Sequence, residues 1–235
     1  MVSNSTPGNP TAESWWQLIR TLLLILLAVG VPLFAAISLG VTTGKMRHPQ
    51  SAVATIFSGT LIGELIALGL LVWLLRQRGQ TLRDIGWGRP TRWWAIALGI
   101  AVAVVYSGFT TITNPSVSRH LLDFSLLKLL TIVTAIVAGV VEETIFRGYV
   151  ITTLGRKGYG LVVQVLLSSL FFALFHLYVF TTPLAILIVQ GLTFLLGVAL
   201  AITYIAGERS LTPVIIGHAL IDIVIEPGLF LSFFP

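Results

Sequence analysis

Seven apolar stretches, all but the last at least 20 residues long, constrain this chain more than any other feature. They run at about 17–41, 51–76, 93–113, 127–154, 161–180, 184–206 and 211–226, and an eighth at 228–235 would re-enter the membrane. A hydrocarbon core of roughly 30 Å takes about 20 helical residues at 1.5 Å each. Membrane-crossing β-strands alternate apolar and polar side chains over about ten residues, whereas these stretches are longer and continuously apolar. The expected fold is therefore all-α, a polytopic transmembrane bundle of seven to eight helices. Composition agrees: 10% of the residues are charged, against roughly 25% in a soluble domain.

Residues 1–14 (MVSNSTPGNPTAES) are polar and lack the basic start and short apolar core of a cleaved signal, so they read as a flexible tail before a retained first span. No internal repeat or long linker divides the remainder, and 15–235 reads as one transmembrane domain. The formal charge of +5 is spread over short loops rather than one helical face, which argues for a topology signal and against a nucleic-acid partner. Assigning loops alternately to two sides places Arg20, Arg76, Arg78, Arg83, Arg89, Arg92, Arg156, Lys157 and Arg209 on one side. Lys45, Arg47, Arg119 and Lys128 fall on the other. The positive-inside rule makes the first side cytoplasmic, with the N-terminus inside. The connection from Arg76 to Trp94 carries five arginines and three tryptophans and reads as an interfacial anchor, with substrate docking as the alternative. With no cysteine, disulfides and a thiol nucleophile are excluded.

An ionisable side chain within hydrocarbon costs on the order of 3 kcal/mol or more, so those inside the spans carry information. They are Glu64, Glu142, Glu143, Arg147, His176, His218 and Asp222. Glu143 and Arg147 are four apart and stack on one helical face in the favourable acid-before-base order. Glu142 is rotated about 100° from its neighbour and must find a partner on another helix or a water. Phe172 and His176 are four apart, so the ring can restrict the imidazole. His218 and Asp222 share the same spacing, which lets the carboxylate orient the imidazole. Glu64, Gln164 and Gln190 stand isolated.

Depth connects these pairs. Measured from the basic side at 1.5 Å per residue, Glu142 lies about 18 Å in, His176 about 23 Å, and His218 and Asp222 about 10 and 16 Å. All four occupy one band near the middle of the bilayer, although their helices run in different directions. A carboxylate beside a histidine can activate water for attack on a carbonyl. The chain has no Gly-x-Ser-Gly, Gly-x-Gly-Asp or His-Glu-x-x-His pattern, which removes serine, aspartyl and zinc-helix intramembrane proteolysis. A metal held by Glu142, His176, His218 and Asp222 is chemically compatible with the same residues, and a purely structural ion-pair cluster is the plain alternative.

These residues resemble the CAAX-protease and bacteriocin-processing family, which includes the type II CAAX prenyl endopeptidases. The likeness rests on Glu-Glu-x-x-x-Arg at Glu142, Glu143 and Arg147, Phe-x-x-x-His at Phe172 and His176, and His-x-x-x-Asp at His218 and Asp222. It covers a catalytic core of about 127–226. The resemblance implies an intramembrane glutamate-dependent endopeptidase with no cofactor and no metal in the chemical step. It would hydrolyse a peptide bond in peptides or lipid-modified protein tails. By the same resemblance Glu142 activates water with His176, Glu143 and Arg147 support them, and His218 with Asp222 stabilises the oxyanion. The family often has asparagine where this chain has Asp222; an ionised aspartate cannot donate to an oxyanion. The compact length suggests a prokaryotic inner membrane. Two readings of other classes compete: a non-catalytic scaffold or bacteriocin-immunity protein, and an ion-coupled transporter built on the same buried carboxylates.

Overall fold

The computed structural model describes residues 14–176 and 183–232, and among them every regular element is helical. Helix α1 spans Trp15–Thr42, α2 Pro49–Gln77, α3 Trp93–Thr113 and the short α4 Pro115–Arg119. Helix α5 (Leu126–Glu143) passes without a break through a π-helical stretch, Thr144–Val150, into α6 (Ile151–Arg156). Then come α7 (Leu161–Phe175), α8 (Pro183–Ala206) and α9 (Thr212–Ser232). The first helix starts on a capping box in which the Ser14 hydroxyl accepts from the Gln17 N–H and Gln17 returns the contact to the Ser14 N–H. The polar tail, apart from Ser14, lies outside the described residues.

Among the described residues six helices are long and apolar enough to cross a membrane, counting α5 through α6 as one, and the protein is a polytopic helical bundle. The expected span at 161–180 is represented by the 15-residue α7, which rises about 22 Å; positions 177–180 are outside the described residues. The possible re-entrant eighth segment is corrected. Through Ser232 it is the last turn of α9, which continues past Pro227 instead of turning back; 233–235 are outside the described residues.

Without water between them, membrane helices gain by close approach at small residues. A Cβ on Gly99 of α3 would fall on the backbone of Pro213, and one on Gly217 of α9 on the backbone of Gly99. That contact seats α9 between α3 and α5, while α2 lies on the other flank of α5 and α1 packs outside α2.

The basic connections meet at one end. The Trp15 indole N–H donates to Tyr159 Oη at 3.0 Å, the Thr91 and Ser210 hydroxyls lie 2.7 Å apart, and Arg92 pairs with Glu208 at 2.6 Å. At the other end Gly228 of α9 packs on Val117 of α4. The loop after α2 is more than a surface anchor, which corrects the sequence reading. Trp93 is exposed, but Ile85 is fully buried, its carbonyl accepts from Tyr204 Oη at 3.2 Å, and Trp87 donates to Thr144 Oγ1 at 3.1 Å. Gly86 permits the inward turn with φ +110°, a value that side chains beyond hydrogen disfavour. Ahead of it, Thr81 N–H and Oγ1–H both donate to Asp84 Oδ2 at 2.7 Å. These bonds stabilise the charged form and hold the Asp84 carboxyl below its usual range.

Candidate active site

Glu142 and Glu143 close α5 just where the helix widens into its π turn, a distortion often found at functional sites. The widened turn keeps its backbone satisfied from outside, as Ser168 Oγ–H donates to the Phe146 carbonyl at 2.8 Å. Glu143, Arg147 and Phe172 form the base of the site. Arg147 is fully buried, donates to Glu143 Oε1 at 2.7 Å and to the Gly197 carbonyl at 3.1 Å, and places its guanidinium 4.3 Å over the Phe172 ring. A buried ion pair persists only with such further partners.

Glu143 Oε1 also accepts from His218 Nδ1 at 2.8 Å, so one carboxylate ties α5 to α9 and, through Arg147, to α8. His218 is therefore oriented by Glu143, where the sequence pointed to Asp222. Asp222 Oδ2 lies 3.5 Å from the opposite ring nitrogen, Nε2. His176 ends α7; its Nδ1–H donates to the Phe172 carbonyl at 2.8 Å and its own carbonyl accepts from Gln190 at 2.7 Å. The Phe172 ring stands 4.5 Å from His176 and 5.6 Å from His218, centroid to centroid.

The two imidazoles converge on Glu142. Its Oε2 is 3.4 Å from His176 Nε2 and 3.9 Å from His218 Nε2, buried and without a hydrogen bond of its own. Each ring commits its Nδ1 proton to an acceptor, a carbonyl or a carboxylate, so in the neutral tautomer each Nε2 presents a lone pair. A carboxylate oxygen facing lone pairs needs a proton between them, and a water molecule can supply it to both. The arrangement can thus hold a water with a general base on one side and an imidazole on the other. No group of three histidine or carboxylate side chains among the described residues has the geometry of a metal-binding set.

The structure brings Glu142, Glu143, Arg147, Phe172, His176, His218 and Asp222 into one contiguous cluster. It adds Gln190 and Glu64, which stood isolated in the sequence, and Glu226, which sequence reasoning left out. Gln190 binds the His176 carbonyl. Glu64, buried on α2, lies within electrostatic reach of Glu142 and His218. Glu226 lies within electrostatic reach of Asp222 and Glu142. The signal for Glu226 was present, since it extends the four-residue spacing of His218 and Asp222. For Glu64 the signal was depth, which matches that of Glu142.

No curated protein and no solved structure matches the chain. A family model does match, over residues 124–224, and its description is Rce1-like, type II CAAX prenyl endopeptidase. Over that segment, which holds Glu142, Glu143, His176, His218 and Asp222, the chain is similar to the Rce1-like family of type II CAAX prenyl endopeptidases.

Proposed function

We propose that this protein is an intramembrane glutamate-dependent endopeptidase, with 15–235 acting as one transmembrane unit around a core at about 127–226. The observation that carries the reading is the buried Glu142 Oε2, which makes no hydrogen bond and faces two imidazole Nε2 atoms. Water held between Glu142 and His176 gives a proton to Glu142 as its oxygen attacks the scissile carbonyl carbon. Glu142 then returns that proton to the departing amide nitrogen, leaving a carboxylate and an amine. His218, fixed through Glu143, donates from Nε2 to the oxyanion when it carries a second proton, and Asp222 lies beside the same atom.

The family match supports peptides or prenylated CAAX-type protein tails as substrates. An apolar cleft of about 210 Å³, lined in part by Leu22, Leu26, Phe146, Leu174 and Phe175, offers a lipid-compatible surface one residue from His176. The clustering of the basic connections at one end supports a cytoplasmic N-terminus, and a prokaryotic inner membrane is the setting proposed for it. Comparing membrane peptides from cells carrying wild type or Glu142→Gln tests the activity directly. Accumulation of the same uncleaved peptides in the variant is the expected result, and identical peptide sets would overturn it.

Two finer points have their own tests. Strong chelators should leave cleavage unchanged, because the base and the imidazoles need no ion; loss restored by added zinc would instead place a metal in the chemical step. Asp222→Asn should keep turnover within about threefold or raise it, since an amide can donate to an oxyanion where a carboxylate cannot. A drop of about 100-fold on the same peptide would show that the carboxylate itself is required.

A further inference from the structure

Three buried side-chain oxygens on α2 and α5 point to a second feature of the site. Glu64 is 2% exposed, and its Oε2 has no hydrogen-bond partner; the same holds for Glu142 Oε2 and for Thr134 Oγ1, with Thr134 1% exposed. Helices α2 and α5 run in the same direction and pack together. Glu64 stands fifteen residues into α2 and Glu142 sixteen residues into α5, so they are level. Val141 packs with Ala67 and Leu71 in one apolar cluster, which identifies the face of α5 turned to α2. Thr134 falls on that face, within about 20° of Val141 around the helix and roughly 12 Å below Glu142 at 1.5 Å per residue.

On the other flank, α9 runs antiparallel to α5. A Cβ on Gly139 would sit 3.3 Å from Asp222 Oδ2, and Glu226, one turn further along α9, is level with Thr134 and Ala135. Polar groups of α2, α5 and α9 therefore form a column from Glu142 toward the end that carries α4, away from the basic connections. Buried polar oxygens in native proteins are hydrogen-bonded, and where protein supplies no partner, water with two to four polar contacts does.

We propose that Glu64, Thr134, Asp222 and Glu226 line a file of bound water that supplies Glu142, with Glu64 as the positioning residue that holds its inner end. This rests on the hydrolytic reading for its purpose but not for its detection. An apolar gap would stay dry, and water consumed in each turnover would then have to share the substrate's route.

The test uses the natural absence of cysteine. Thr134→Cys introduces the sole thiol, and Val133→Cys places one at nearly the same depth on the lipid side, where Val133 is 43% exposed. Thiosulfonates react with thiolate, which forms only where water reaches the sulfur. A membrane-impermeant thiosulfonate, applied to oriented vesicles from the side of the 114–125 connection, should label Thr134→Cys at least about tenfold faster than Val133→Cys. Equal rates, or labelling from the basic side only, would overturn the proposal. As a second measurement, Glu64→Leu should lower kcat at least about tenfold with KM nearly unchanged, while Glu64→Gln, still polar, keeps turnover. Full turnover in Glu64→Leu would also overturn it. The thiol measurement reads hydration whether or not the protein cleaves anything, so a failure of the hydrolytic reading and a failure of the water file are distinguishable.

Discussion

Glutamine at position 142 should lower turnover by about 10³-fold or more while leaving the protein folded. Glu142 Oε2 faces both Nε2 atoms and makes no hydrogen bond that glutamine would break. The amide has nearly the same shape and can donate to a ring nitrogen, so packing persists while the proton acceptor is lost. Cleavage of a peptide found by the proteomic comparison measures the effect, and thermal unfolding in detergent checks the fold. Wild-type turnover in a folded Glu142→Gln protein would remove the base and with it the mechanism. The same result would favour a passive partner or an ion carrier, the two other classes open to a chain with these buried groups.

Arg147→Met should be the most destabilising single change, at about 3–5 kcal/mol, because it leaves the Glu143 carboxylate buried without its cation. The pair is fully buried, and the guanidinium also reaches the Gly197 carbonyl and the Phe172 ring, so α5, α7 and α8 all lose a contact. Activity should fall with stability, since Glu143 orients His218 through its Nδ1. Adding Glu143→Gln to Arg147→Met should recover part of the stability. It removes the orphaned charge yet keeps an oxygen that can accept from His218. Denaturant titration of the four proteins in this cycle gives the coupling directly, and simple additivity would mean that the two side chains do not act as a pair.

Much of the architecture was legible because hydrocarbon imposes a one-dimensional rule. Every backbone group must bond within its own helix, so long apolar stretches mark the helices and the rare charged residues mark what the bundle hides. The four-residue spacings of Glu143 with Arg147 and Phe172 with His176 are local geometry, and depth along each helix follows from rise per residue. Those quantities alone put Glu142, His176, His218 and Asp222 in one band near the middle of the bilayer.

Rotation of one helix about its axis relative to the next has no such local signature. It is set by close contacts such as Gly99 with Pro213 and Gly217, which decide the face that α9 turns toward α5. Hence the sequence paired His218 with Asp222 on its own helix, while the structure gives its Nδ1 to Glu143 across the bundle. Glu64 looked isolated for the same reason, since its neighbours are on other helices. The inward fold of Ile85 and Trp87 likewise depends on partners at Tyr204 and Thr144. The sequence by itself determined a helical membrane protein, the segment that resembles a known family and the depth of its polar residues. Only the tertiary structure decided which of them face one another, because side-chain partners across helices are chosen by packing, not by spacing along the chain.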